Sequence, residues 1–290
     1  MDVKDVPWLM ALDVLREMGY TVELTAFAKS SLIPPALLHG DIDVGSANTT
    51  LVWAAIEKGA DIRTVAGRAN VGFYLVATQE IRDCRDLDKK VITFSTRQSI
   101  GYVMFEKYLN RHCPGVTPEV LMIDGSENRV VALQVREVVA AYVEIEEWYQ
   151  LQQAAPGEFH VLIDFGREFP QVQMLTFTVR REWADENSEM LKDFIRALLE
   201  AKRHVIEDPQ FLQDMIAKYQ SLDADKAKDL AEVYLEAVIW DPNGGITQEN
   251  IQYTLDFLIQ GEILSSGLGV EEVADLSYLN AVLDDIGRQR

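Results

Sequence analysis

Helix-type and strand-type hydrophobic periodicity replace one another along the first two-thirds of this chain, with connections only a few residues long. A chain patterned in this way is constrained to an α/β fold in which parallel-type sheets are flanked by helices. The segment from Asp5 to Tyr20 carries Trp8, Ala11, Leu12, Leu15 and Met18 at helical spacing, and Gly19 closes it. Thr21–Phe27 alternates like a strand, Ser31–Gly40 reads as a short helix with prolines in its first turn, and Asp41–Gly45 reads as a short strand. Asn48 is placed to cap a helix that runs through Lys58, and Ile62–Gly67 is the next strand.

A longer strand, Gly72–Gln79, precedes a second alternating run. Strands are expected at Val91–Phe94, Glu119–Asp124, Val138–Val143 and Phe159–Phe165, with helices at Ser99–His112, Ser126–Glu137 and Glu144–Gln153 between them. After another long strand, Val172–Arg180, only helical patterns follow: Ser188–Glu207, Pro209–Tyr219, Asp223–Ala237, Thr247–Gln260 and one from Ser277. No flexible linker separates the two α/β runs, so the two long strands are expected to carry the chain between lobes. This gives lobe one as residues 1–86 and 170–290, with the C-terminal helices packed on it, and lobe two as 87–169. A ligand is expected in the cleft between them, beyond the carboxyl ends of the strands.

Composition narrows the function. Forty-seven acidic residues against 27 basic ones give a net charge of −20, which repels phosphate backbones, so nucleic acid is not an expected partner. Two cysteines and four scattered histidines have no metal-ligand spacing, and neither a metal nor a cofactor is expected. No apolar run is long enough for a membrane helix, and the N-terminal residues lack the pattern of an export signal. There is no Gly-x-Ser-x-Gly elbow, no Gly-rich phosphate loop and no His beside a candidate nucleophile.

Three segments resemble a known family. Gly40–Gly67 (GDIDVGSANTTLVWAAIEKGADIRTVAG), Asp86–Leu109 (DLDKKVITFSTRQSIGYVMFEKYL) and Leu133–Trp148 (LQVREVVAAYVEIEEW) are similar to the corresponding stretches of the nitrate, sulfonate, taurine and thiamin-precursor binding proteins of ABC importers. The resemblance implies a type II periplasmic-binding fold and a chain that works, as a monomer outside the cytoplasm, by closing its hinge on a small molecule and delivering it to a membrane permease. It also implies a strand ahead of the first helix; no such strand is legible here, where the sequence opens on the helix. An enzyme on the same fold, of the menaquinone-pathway or pyrimidine-synthase type and cytosolic, is the alternative, although the synthases' cysteine-rich signature is missing.

The candidate ligand groups lie where strands end and helices begin. In lobe one these are Ser46, Asn48 and Thr49, which offer hydroxyls and free backbone N–H groups, although Asn48 and Thr49 also suit a helix cap. In lobe two, Ser95, Thr96, Arg97 and Ser99 form the equivalent turn, with a fixed positive charge and a helix N-terminus that favour a carboxylate, sulfonate or phosphate. Ser126, Asn128 and Arg129 form a third such turn. Glu144 and Trp148 instead suit an amine or a pyrimidine, the first as acceptor and the second as stacking face. With the first helix placed as in that family Trp8 faces the cleft, and otherwise it anchors the core; Arg68 and Asn70, leaving the last strand before the crossover, complete the set. Ser46, Asn48 and Thr49 are expected to face Thr96, Arg97, Ser99 and Glu144. Cys84 and Cys113 are topologically near, but a bridge needs Cα atoms roughly 4.4–6.8 Å apart, and two free thiols are expected.

Overall fold

The structure, a computed structural model, describes residues 2–265 and 267–289. The chain divides into two compact units: unit 1 holds the residues up to Asn70, then Gln171–Gln260 and the residues from Leu264 on, and unit 2 holds Val71–Pro170 with Gly261–Ile263. Each is a mixed α/β layer structure with a sheet at its centre.

Unit 1 begins with a 3-10 turn at Val3–Asp5 and helix α1 (Val6–Glu17). Asp2 and Asp5 form a reciprocal capping box at the turn, and Pro7 sits in the first turn of α1, where its missing N–H costs nothing. After helix α2 (Ile33–His39) come strand β1 (Val44–Asn48), α3 (Thr49–Glu57) and β2 (Ile62–Ala69). The expected strand at Asp41–Gly45 therefore starts three residues later; the register that pairs Val44 with Val179 sets its beginning, and Asp41 and Asp43 remain exposed. Thr21–Phe27, expected as a strand, makes no ladder. Its alternation is real, but β1, the outer strand of the sheet, is not hydrogen-bonded to it.

Unit 2 contains β3 (Phe73–Thr78), β4 (Val91–Phe94), α4 (Ile100–His112), β5 (Glu119–Met122), α5 (Ser126–Gln134), β6 (Ala140–Glu144), α6 (Ile145–Ala154), β7 (Phe159–Asp164) and the short α7 (Phe165–Glu168). Its sheet order is β5-β4-β6-β3-β7, with β4 parallel to both β5 and β6, and β3 antiparallel to β6 and β7. Hence β3, which the sequence reading assigned to lobe one, is a strand of unit 2, fixed there by ladders on both sides. The central β6 buries Ala140 to Val143 without alternation, as a strand covered on both faces must, whereas edge strand β5 alternates exposed with half-buried residues. Gly101 of α4 lies against the Tyr142 ring, and any Cβ there would collide with it.

The chain then returns to unit 1 as β8 (Leu175–Arg180), α8 (Arg181–Glu186), α9 (Ser188–Glu207), α10 (Pro209–Gln220), α11 (Ala224–Glu236), α12 (Gln248–Gln260), α13 (Val270–Val273) and α14 (Ser277–Ile286). β8 inserts between β1 and β2 and runs antiparallel to both. The apolar stripe of α9, with Leu191, Phe194, Ile195, Leu198, Leu199 and Val205 buried at helical spacing, packs against α1 and α14.

One cation is buried in that stripe. Lys202 is 1% exposed and donates to the carbonyl of Gly67 at 2.7 Å. Gly67 itself passes so close to Gly244 that a side chain would strike the Gly244 carbonyl, which accepts the Gly67 N–H at 2.9 Å. Burial pushes the Lys202 ammonium down to about 8, with Asp241 pulling the other way.

Cys84, in a 3-10 turn before β4, and Cys113, at the end of α4, are joined in a disulfide with Cα atoms 6.1 Å apart. The expectation of two free thiols is thereby overturned. Strand and helix bring the two residues to the same edge, and the turn at Asp83–Leu87 orients Cys84 inward.

Two measurements follow. In the unfolded, unreduced protein no thiol should titrate, and replacing both cysteines by Ala should lower stability by roughly 3 kcal/mol in urea unfolding, because the bridge closes a loop of 29 residues. Below about pH 8 the Lys202 ammonium is charged in both states, so its burial cost is borne in full. Between about 8 and 10.5 the unfolded chain keeps the proton that the folded chain has released, and this group makes stability rise with pH. Denaturation of wild type and Lys202→Met across that window should show the rise only in the wild type.

Candidate functional site

In unit 1 polar groups gather on β1 and near the carboxyl end of β2, with β8 between the two strands. The Nη1 of Arg68, near the end of β2, donates to the Ser46 hydroxyl at 3.2 Å, and its Nη2 forms an ion pair with Asp5. The guanidinium lies over the Trp8 ring, 5.6 Å from its centroid, and Trp8 in turn meets Phe177 of β8 edge-on at 5.6 Å. Trp8, Ser46 and Arg68 are thus one cluster of half-buried residues. Asp5 is 2% exposed, so the pair sits where water screens it poorly. The Arg68 Nε and the Thr49 hydroxyl are buried without a protein partner.

Asn48 is the N-cap of α3: its side-chain oxygen accepts from the Thr50 N–H at 3.0 Å and from the Thr50 hydroxyl at 2.7 Å. Thr49 is fully buried at the first position of that helix. Asn70 donates its side-chain amide to the Val238 carbonyl and its backbone N–H to the Ile239 carbonyl, both at 2.8 Å, which braces the loop after α11.

In unit 2, residues 95–99 form the turn from β4 to α4. The Ser99 hydroxyl accepts from the Tyr102 N–H at 3.2 Å and donates to the Thr96 carbonyl at 2.8 Å, so Ser99 caps α4 and holds the turn closed. Ser95 is half-buried, and Thr96 and Arg97 are exposed. The Arg97 Nη1 donates to the Tyr102 hydroxyl at 2.9 Å, and burial raises the pKa of that phenol. Arg97 is therefore steadied at the helix N-terminus while keeping contact with water.

The carboxyl end of β6 is held by Arg129, which is 4% exposed. Its Nε donates to the Tyr142 carbonyl and its Nη1 to the Ile123 carbonyl at 3.0 Å. Burial lowers the pKa of this guanidinium, and the neighbouring Tyr142, Glu144, Glu147 and Glu127 act against that shift. The Ser126 hydroxyl accepts the Glu144 N–H at 3.2 Å, so the turn entering α5 and the end of β6 are tied together around Glu144, which is half-buried. Tyr142 is stacked between Phe73 and Phe94, with centroids at 4.5 and 5.1 Å, and burial drives its phenol well above the usual range. Asn128 is exposed and donates to the Asp124 carbonyl at 2.9 Å, which closes the turn before α5.

Trp148 is a different case. It is packed among Val76, Leu133, Val138, Leu151 and Phe159 in the core of unit 2, so it does not offer the exposed stacking face read from the sequence. The reason is local: α6 turns Ile145, Trp148 and Leu151 onto the sheet at helical spacing.

Asp5, Tyr102 and Tyr142 are not among the site residues expected from the sequence, whereas Arg129 is expected in the third candidate turn. The Asp2-x-x-Asp5 spacing ahead of a proline-bearing helix start is a legible capping signal; that Asp5 also balances Arg68 depends on a contact 63 residues away. Among the described residues one trio has metal-ligand chemistry, Asp83, Cys84 and Cys113, and both of its sulfurs are in the disulfide.

Removing the Asp5 carboxylate should strand a poorly hydrated guanidinium. Asp5→Ala is expected to cost roughly 3 kcal/mol in urea unfolding. Adding Arg68→Met should cost less than the sum of the single changes, because the second substitution removes the stranded charge.

Known proteins agree with this architecture. The family model described as NMT1/THI5 like matches residues 15–211, well over half of the chain. No protein of curated function matches the sequence. Among solved structures, the zinc-bound ligand-binding component of an ABC-type import system from Staphylococcus aureus superposes with a TM-score of 0.78 at 15% identity, covering 97% of this chain and 96% of that one. The periplasmic aliphatic sulphonate binding protein SsuA from Escherichia coli gives 0.73 at 16% identity over 94% and 89% of the two chains. The periplasmic nitrate-binding protein NrtA from Synechocystis gives 0.70 at 13% identity over 98% and 86%. At these identities the likeness is one of fold, the type II periplasmic-binding fold that the resemblance implied. The extent of the sequence match settles the lineage: the chain belongs to the NMT1/THI5-like family.

Proposed function

We propose that this protein is the solute-binding component of an ABC importer, which captures a small polar organic molecule of the sulfonate, carboxylate or pyrimidine class and hands it to a membrane permease. The observation that carries this reading is the gathering of polar groups on and just beyond the strands: Ser46 of β1 with Arg68 over Trp8 in unit 1, and the Ser95–Ser99 turn and Glu144 at the end of β6 in unit 2. In unit 2 the parallel strands β4 and β6 bring such groups to one edge, where helix N-termini add favourable dipoles. The import-system binding proteins that share the fold support the same role.

On this reading the polar groups of each unit are suited to a small polar ligand. Ser46, Thr49 and Arg68 supply hydroxyls and a fixed cation from unit 1. Ser95, Thr96, Arg97 and Ser99 supply hydroxyls, a helix N-terminus and a second cation from unit 2, and Glu144 supplies an acceptor for ligand N–H groups. The Cys84–Cys113 bridge supports an oxidising, extracytoplasmic setting, and no helix among the described residues is long and apolar enough to cross a membrane.

A thermal-shift screen of sulfonates, carboxylates, aromatic acids and pyrimidines should yield a stabilising ligand. Calorimetry with that ligand then reads its polarity. Arg97→Ala should weaken an anion by roughly 1.5–3 kcal/mol, and Glu144→Gln an amine-bearing ligand by a similar amount. Unchanged affinity in both variants would sink the site.

A further inference from the structure

The disulfide of unit 2 has an acidic neighbour. Asp83 is the N-cap of the 3-10 turn Cys84–Leu87, and its Oδ1 accepts the Arg85 N–H at 2.9 Å. The same oxygen lies 3.7 Å from the Cys113 Sγ, although the two residues are 30 positions apart. A sulfur held in a disulfide carries no proton, so no hydrogen bond accounts for that approach. In Asp83, Cys84 and Cys113 a carboxylate oxygen and two sulfurs all lie within 4.8 Å of one another. Cys84 and Cys113 are 5% and 2% exposed, whereas Asp83 stands at the surface. The trio is therefore dry on its sulfur side and open to water on its oxygen side. The exposed Arg85 also reaches the Asp83 carboxylate, at 3.3 Å, and a surface pair of this kind is cheap to break.

We propose that the reduced protein holds a thiophilic divalent cation of the zinc type here, bound by the Cys84 and Cys113 thiolates, the Asp83 carboxylate and one water. The distances carry this. Around tetrahedral zinc, with bonds of roughly 2.3 Å to sulfur and 2.1 Å to oxygen, a sulfur and an oxygen stand about 3.6 Å apart and two sulfurs about 3.8 Å. The Asp83–Cys113 edge already has that length. Only the two sulfurs must separate, and opening the bridge releases them. Neither residue is placed by the bridge alone: the Asp83–Asp86 capping box fixes the turn of Cys84, and the Cys113 N–H donates to the Leu109 carbonyl at 2.8 Å to end α4. Two thiolates with a carboxylate suit zinc, whereas magnesium and calcium take oxygen ligands. In the reduction a dithiol gives the bridge two electrons and two protons and leaves as its own cyclic disulfide. The cation then displaces one proton from each new thiol. Bridge and ion are alternatives that close the same loop of 29 residues.

Cobalt is the probe, because its spectrum reports ligand type and geometry. The full chain is reduced with dithiothreitol, freed of reductant without air, titrated with Co²⁺ and then with Zn²⁺. The reduced protein should take up one ion per chain, with thiolate charge-transfer bands and the intense d–d bands of tetrahedral cobalt, and zinc should displace it. The oxidised protein should show neither set of bands. Asp83→Asn keeps a good N-cap and removes the anionic ligand; it should weaken cobalt binding by at least about tenfold while thiolate bands persist. Cys113→Ser should abolish the tetrahedral spectrum. Circular dichroism runs in parallel: if the reduced chain loses structure, its recovery with zinc supports the site. Three results overturn the proposal: no uptake by the reduced chain, equal octahedral cobalt in reduced and oxidised protein, which is binding to surface carboxylates, or unchanged affinity in Asp83→Asn.

Discussion

Unit 1 depends on a pairing that no neighbouring stretch of sequence makes. β1 and β2 lie close in the chain, yet they do not bond to each other; β8, more than a hundred residues later, lies between them and hydrogen-bonds to both. Thr176, Phe177, Thr178 and Val179 are fully buried there. Phe177 supports Trp8 from beneath, and Trp8 supports the Arg68 guanidinium. The polar cluster therefore depends on β8, a strand that follows unit 2 in the chain. Contacts of such sequence separation carry a loop-closure cost, so the burial of β8 and the α1–α9 packing must offset it.

Unit 2 solves a simpler problem. Its parallel strands β4, β5 and β6 follow each other through short helical connections, and β3 seals the other side of β6. Two strand ends there are tied down by side chains: Ser99 closes the β4–α4 turn, while Ser126 and Arg129 of α5 fix the end of β6. Groups held in this way lose little further freedom when a ligand arrives, which is what binding a small polar molecule requires. The buried Arg129 illustrates the cost accepted for that order, since its charge is stabilised by carbonyls and nearby carboxylates while burial opposes it.

The two residues Trp8 and Trp148 show how far sequence reasoning reaches. Both stand on amphipathic helices with aromatic surface to offer, and both were read as ligand-facing. Trp8 lies half-buried beneath Arg68, whereas Trp148 is in the core with Leu133 and Phe159. Helical spacing distinguishes a buried face from an exposed one, but not a core from a site. Similarly, the alternation in Thr21–Phe27 states that the segment suits a strand, while whether it forms one depends on a neighbour to bond with.

Local pattern alone determined the order and type of nearly all elements, because helix and strand periods, prolines in first turns and capping residues such as Asn48 and Ser99 act within a few residues. It also indicated the β4–α4 turn that carries Arg97 and the end of β6 that carries Glu144, whereas Ser46, expected in a loop, lies within β1 because the strand runs on to Asn48. The tertiary structure alone decided that β3 belongs to the second sheet, that Asp5 answers Arg68, that Lys202 is buried against Gly67 and that Cys84 meets Cys113. Each of these rests on groups brought together across long stretches of chain, and distance along a sequence holds no information about direction in space.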